Sequence, residues 1–153
     1  MDFIPITKDL CASPAVQGSD FLKGLCASVV NIYPEGTPVM PWAGYLVEEN
    51  KAFIGTCAYK SPPVLGAVEI AYFTFPGHEG QGSATRMARH LVELAAENGV
   101  ACVRAQTLPE KNASTRILEK LGFTLVGPVH HPEDGEVWEW QKRVADSQSG
   151  ASR

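Results

Sequence analysis

Two stretches of the chain carry residue types and spacings suited to chemistry. The run GHEGQGSA, Gly77 to Ala84, stands between the apolar stretch VEIAYFTF and a helix-like segment. A strand that ends in glycines and opens a helix presents unpaired backbone N–H groups beside the positive end of the helix dipole. Little side-chain bulk obstructs them, so the junction is an anion site suited to phosphates. Glu69 lies inside VEIAYFTF. A carboxylate there is costly unless it is paired, hydrated or at work as a base, and the plain alternative is a glutamate on an exposed strand face. His130 and His131 beside Glu133 and Asp134 could suggest a metal, but all four crowd a turn, where solvated side chains are the simpler reading and no metal is expected.

The surrounding elements must position these groups. DFIPIT reads as a first strand, and Phe21, Leu22, Leu25, Val29 and Ile32 recur at helical spacing behind Ser19 or Asp20 as cap. This is the one clear helix before Trp42. WAGYLVEE and AFIGTCAY read as an antiparallel hairpin. VLGAVEIAYFTF does not alternate cleanly and reads as a central strand covered on both faces. From Ser83 to Glu97, Ala84, Met87, Ala88, Leu91, Val92 and Ala95 form one apolar stripe, and Asn98-Gly99 ends that helix. VACVRAQT is a strand, ASTRILEKL a short helix with Asn112 as cap and Ser114 in its first turn, and FTLVGPVHH with EVWEWQ a final hairpin. This order predicts a mixed α/β sheet with helices packed on it. A single domain over 1–144 and a flexible tail over 145–153 are expected.

Composition narrows the classes of function. The chain has 153 residues, enough for one domain with a real core. A net charge of −4 disfavours a nucleic-acid binder held by its own positive field. Cys11, Cys26, Cys57 and Cys102 form no CxxC pair and read as buried free thiols of a reducing cytoplasm. MDFIPITKDL does not look like a signal peptide, and no apolar run is long enough to suggest a membrane span. A cytoplasmic location, with no membrane and no nucleic-acid partner, is the expectation.

Three phosphate-binding readings compete at the glycine run. A P-loop needs a lysine after its last glycine, whereas Gly82 is followed by Ser83. A dinucleotide fingerprint needs a third glycine where Thr85 stands, and an acid ending the next strand, which here ends in Gln106 and Thr107. The third is a coenzyme A pyrophosphate. VEIAYFTFPGHEGQGSATRMARHLVELA, then KNASTRILEKLGF, then PEDGEVWEW together resemble the GNAT (Gcn5-related) N-acetyltransferase superfamily, over about Ala43 to Gln141. The NxSxxxLEKLGF segment looks most like the branch containing ribosomal-protein alanine N-acetyltransferases.

The resemblance implies an acyl-CoA N-acyltransferase-like fold, an α/β (α+β) domain whose mostly antiparallel central sheet has about six or seven strands flanked by helices. It implies acetyl-CoA as co-substrate and a small-molecule or peptide amine as acceptor, and it allows a homodimer. The family loop pattern [Q/R]xxGx[G/A] falls on Glu79, Gly80, Gln81, Gly82, Ser83 and Ala84, with an acid at Glu79 where the family has glutamine or arginine. Main-chain N–H groups near Thr74 and Phe75, with Phe73, would hold the thioester carbonyl where the strand splays from its neighbour. Glu69 would act as base, Asn112 and Ser114 would contact the coenzyme, and either Ser114 would protonate the thiolate in place of the tyrosine that many relatives have where this chain has Leu118, or the thiolate would leave without a protein acid. Arg86, Arg89, Lys111 and Arg116 are further phosphate candidates, and Trp42, Tyr45 and Tyr72 could line the acceptor pocket or belong to the core. A rival class keeps the fold and drops the catalysis: a module that holds CoA or an acyl-CoA.

Overall fold

A computed structural model describes residues 1–144; the expected tail, 145–153, lies outside the described residues. The chain forms one seven-stranded sheet in the order β1-β2-β3-β4-β5-β7-β6. The strands are β1 (Asp2–Pro5), β2 (Gly44–Glu49), β3 (Ala52–Tyr59), β4 (Ala67–Thr74), β5 (Cys102–Thr107), β6 (Thr124–His131) and β7 (Gly135–Arg143). Every neighbouring pair is antiparallel except β4 and β5. That parallel pair is joined by a crossover through α4 (Ser83–Glu97), as parallel neighbours require.

The strand alternation sorts side chains onto two faces. On β2, Tyr45 and Val47 enter the main core while Leu46 enters a second cluster; on β4, Val68 and Ile70 enter the main core and Phe75, just past the strand, enters the second. The main core takes Met87, Ala88, Leu91 and Ala95 from α4, Leu118 from α5 (Ala113–Lys120), and Trp140 from β7. The second cluster sits under α3 (Asp20–Ile32), which contributes Leu22 and Cys26, with Val16 from a preceding short helix. Burying a side chain the size of Met87 or Leu91 stabilises by about 1.5–3 kcal/mol, which favours docking of α4 through its apolar stripe. No helix among the described residues is long and apolar enough to cross a membrane.

The region before Trp42 holds more than one helix. Two short ones, α1 (Lys8–Ala12) and α2 (Pro14–Gln17), precede α3. Thr7 caps the first by accepting from Leu10 N–H at 3.1 Å, and Pro14 occupies the first position of the second. Five and four residues are too few to show a 3.6-residue repeat. β4 also differs from expectation. Val64 to Gly66 form a turn, with φ of 52° at Leu65 and 78° at Gly66, so the strand starts at Ala67. One of its faces is open rather than covered: Ala71 and Phe73 are exposed.

Candidate active site

The sheet splits between its two parallel strands. β4 pairs with β5 only from Ala67↔Cys102 to Ile70↔Ala105. Beyond that, β4 stays with β3 as far as Gly55↔Thr74, and β5 stays with β7 as far as Thr107↔Trp138. The last four residues of β4 therefore have no strand on their β5 side. Phe75 N–H donates to Ile54 C=O at 2.9 Å, so the pleat turns the amides of Tyr72 and Thr74 away from β3 and into this gap. Of the donors expected near Thr74 and Phe75, only Thr74 faces the gap; the Phe75 amide is engaged by β3, and its ring is 6% exposed in the second cluster.

A cleft of about 510 Å³ opens at the split. Its walls are Tyr72, Phe73 and Thr74 from β4, Glu79 to Thr85 apart from Gln81, and one face of α5, including Ser114, Arg116 and Lys120. The glycine loop is built to leave its amides exposed. Gly80 and Gly82 take φ of 81° and 77°, a region that L side chains rarely adopt, and open space surrounds both. Gly82 is the N-cap of α4 and supplies no capping side chain. Among the described residues no acceptor engages the N–H groups of Gly80, Gln81, Gly82, Ser83, Ala84 or Thr85. Orphan donors at the start of a fifteen-residue helix fit a diphosphate. Glu79 stands beside them as an anion. Its carboxylate accepts from Gly77 N–H at 2.8 Å, and its own and the Gly77 amide hold its pKa below the usual carboxylate range.

The predicted residues divide. Phe73, Thr74, Glu79, Gly80, Gly82, Ser83, Ala84 and Ser114 line the cleft; Gln81 is exposed in the loop beside it. Asn112 is the helix cap: its Oδ1 accepts from Thr115 N–H at 3.1 Å, and Thr115 Oγ1 accepts from Asn112 N–H at 2.9 Å. Leu118 is fully buried in the main core. Arg86 makes two hydrogen bonds to Glu49, at 2.8 and 3.0 Å, and Lys111 pairs with Glu119 at 2.7 Å, which leaves Arg116 as the cleft-lining residue of that group. Tyr45 is core, donating its hydroxyl to Pro41 C=O, and Trp42 packs edge-on against Tyr59. Tyr72 instead lines the cleft, and burial pushes its phenol up to about 12. Lys120 and Ile117 were not anticipated; their spacing from Ala113 and Arg116 along one helix face is the signal that could have found them.

Glu69 does not line the cleft; it shares a face of β4 with Ala71 and Phe73, opposite to Tyr72. Its Oε2 sits 2.6 Å from Lys60 Nζ, an ion pair without hydrogen-bond geometry, and its side chain is 26% exposed. Arg104, its register partner on β5, and Glu139 line the same small depression. The gap between β4 and β5 begins just beyond Ile70, one residue along the strand from Glu69. His131 Nδ1 accepts from the amides of Glu133 and Asp134 at 3.1 Å each, as a turn does, and among the described residues no cluster of His, Cys, Asp and Glu has metal-holding geometry.

A parallel pair that parts beside a glycine-rich helix start is the architecture of an acyl-CoA transferase fold, and the chain belongs to the GNAT acetyltransferase family: the acetyltransferase (GNAT) domain model matches residues 20–124. Solved structures agree in fold. A ribosomal L7/L12 α-N-protein acetyltransferase in complex with coenzyme A superposes with TM-score 0.66 at 16% identity, covering 82% of this chain and 72% of the other. A ribosomal-protein-alanine N-acetyltransferase from Brucella melitensis gives 0.63 at 19%, covering 80% and 78%. The aminoglycoside acetyltransferase AAC(6')-Ib with coenzyme A gives 0.59 at 22%, covering 70% of each chain. No curated protein matches the sequence significantly.

Proposed function

We propose that the protein is an N-acetyltransferase that moves an acetyl group from acetyl-CoA to a primary amine by direct attack in a ternary complex. The observation that carries this reading is the set of partnerless loop amides, Gly80 to Thr85, at the mouth of a gap into which Thr74 directs its own amide. The loop amides would hold the diphosphate, with Arg116 and Lys120 on the facing wall. Thr74 N–H would donate to the thioester oxygen as charge develops there, an effect worth roughly 2.7–4 kcal/mol in other acyl transfers. The amine nitrogen forms the new C–N bond, the C–S bond breaks, and the proton lost by nitrogen passes to Glu69 through the gap. Sulfur leaves as a thiolate between two hydroxyls, Ser114 and Tyr72. A phenol held near 12 keeps its proton and serves as a hydrogen-bond donor, since a thiol titrates near 8.5; the Ser114 hydroxyl, a still weaker acid, likewise donates a hydrogen bond to the thiolate, which takes its proton from solvent on release.

Two observations favour a second reading, a module that holds CoA or an acyl-CoA without turnover. Glu69 is paired with Lys60 outside the cleft, and the position where many relatives have tyrosine is core-buried Leu118. Free-thiol release from acetyl-CoA across an amine panel, with coenzyme binding by calorimetry, separates them. Release that depends on an amine supports the enzyme; tight binding with no release from any amine supports the module.

A further inference from the structure

Behind the splayed end of β4, on the face away from α4, lies a second pocket of about 370 Å³. It is a cup of Phe21, Leu22, Phe53, Phe75 and Pro76, and the other two lining residues are Ser19 and His78. Ser19 Oγ already accepts from Leu22 N–H as the cap of α3. Among the described residues no carboxylate lines the cup. Phe21 is 52% exposed although its ring meets Phe75 edge-on at 5.0 Å, and Phe73, 51% exposed, stands 6.0 Å from Phe75. Phe73 also lines the cleft, so the aromatic surface is continuous with it.

The residues of β4 on this face follow one another as Glu69, Ala71, Phe73 and then Phe75, at steps of roughly 6.6 Å. An acid stands at one end, aromatics at the other, and the small exposed Ala71 between them, beside the start of the gap. An amine over Ala71 would have Glu69 on one side and the cup on the other. We propose, resting on the acetyltransferase reading, that the acceptor carries an aromatic or similarly bulky apolar group next to its primary amine, seated in this cup, and that Phe21 selects for it. A second ammonium has no partner in the cup, whose lining among the described residues includes no acid. Desolvating a second ammonium against phenyl rings without a carboxylate is unfavourable, whereas an apolar group gains from leaving water.

The test compares 2-phenylethylamine, spermidine and kanamycin as acceptors. Saturation-transfer NMR on the CoA-loaded protein separately reports contact with the phenyl ring. We expect kcat/KM for 2-phenylethylamine to exceed that for both polycations by about thirtyfold or more, the scale of discrimination an apolar pocket supplies. Phe21→Ala should raise KM for 2-phenylethylamine about tenfold and leave KM for acetyl-CoA unchanged, while Phe21→Leu stays within about threefold of wild type. Preference for either polycation, or an unchanged KM in Phe21→Ala, overturns the proposal. If CoA binds but no amine is acetylated, the enzymatic reading fails by itself. The ring contact then decides this one: its presence in wild type and loss in Phe21→Ala uphold it, and its absence in wild type overturns it.

Discussion

Phe75 donates its backbone N–H to Ile54 C=O across 2.9 Å, and this bond fixes which amides of β4 face the gap. Two residues can thus be neighbours in sequence and differ entirely in chemical use. Thr74 points its amide into the gap beside β5, whereas Phe75 belongs to the sheet and to the aromatic cup.

The loop amides should matter through glycine rather than through any side chain. Gly82→Ala forces an L residue to φ 77°, at about 1–2 kcal/mol, and places a Cβ in the open space beside the partnerless amides. Gly99→Ala meets the same backbone strain at φ 83° in open space, but beyond the far end of α4. Both variants should lose similar stability in thermal unfolding. Only Gly82→Ala should weaken acetyl-CoA binding in calorimetry, by about tenfold or more, as expected for losing a hydrogen bond to a charged group. Equal affinities in the two variants would remove the loop from the coenzyme site.

Glu69 is assigned as base although it does not line the cleft. Glu69→Gln keeps the shape and removes the proton acceptor. It should lower kcat by about a hundredfold, at the low end of general-base effects, with acetyl-CoA affinity within about twofold of wild type. Stopped-time thiol release with parallel calorimetry measures both. A full-speed Glu69→Gln enzyme would mean that the Lys60–Glu69 pair is only structural.

Leu118 shows why a missing family residue is not simply restored. It is fully buried among the α4 stripe, Phe123 and Trp140. Leu118→Tyr adds a ring and a hydroxyl to a packed site, and should cost about 1–3 kcal/mol by denaturant unfolding without raising kcat. A stable and faster variant would show that α5 can turn this position toward the cleft.

Much of this architecture is legible in the amino-acid order, because the elements that carry it are long and strongly patterned. The α4 stripe from Ala84 to Ala95 and the Asn112 cap require nothing beyond local periodicity and capping chemistry. The glycine loop is legible for the same reason: unpaired amides follow from residue type. The facing of Glu69 is not legible, because it depends on which side of β4 receives α4, a tertiary choice invisible in VEIAYFTF. The aromatic cup is hidden for a related reason. Phe21 and Phe75 lie far apart in the chain, each fits an apolar pattern, and only the packing of α3 across the sheet end brings their rings together. Arg86 looked available for phosphate on its helix, and the structure places it on Glu49 of β2 instead.

Among the described residues Glu79 is the one acid lining the site that we assign to a diphosphate, and its effect should be measurable with the correct sign. The amides of Gly77 and of Glu79 itself depress its pKa below the ordinary value of 4.5. A depressed carboxylate is charged at every pH above that ordinary value, and its stabilising hydrogen bonds are lost only as pH falls through the lowered one. Coenzyme affinity should therefore show no step from this group between about pH 5 and 8, where the carboxylate stays ionised. Glu79→Gln removes the charge while the side-chain oxygen can still accept from Gly77 N–H. It should tighten acetyl-CoA binding severalfold at low salt, with the gain shrinking toward unity near 1 M salt, where screening acts over about 3 Å. Calorimetry across a salt series is the measurement. Weaker binding in Glu79→Gln would show instead that the charged carboxylate organises the loop, and that the Gly77 contact is worth more to the cradle than the repulsion costs.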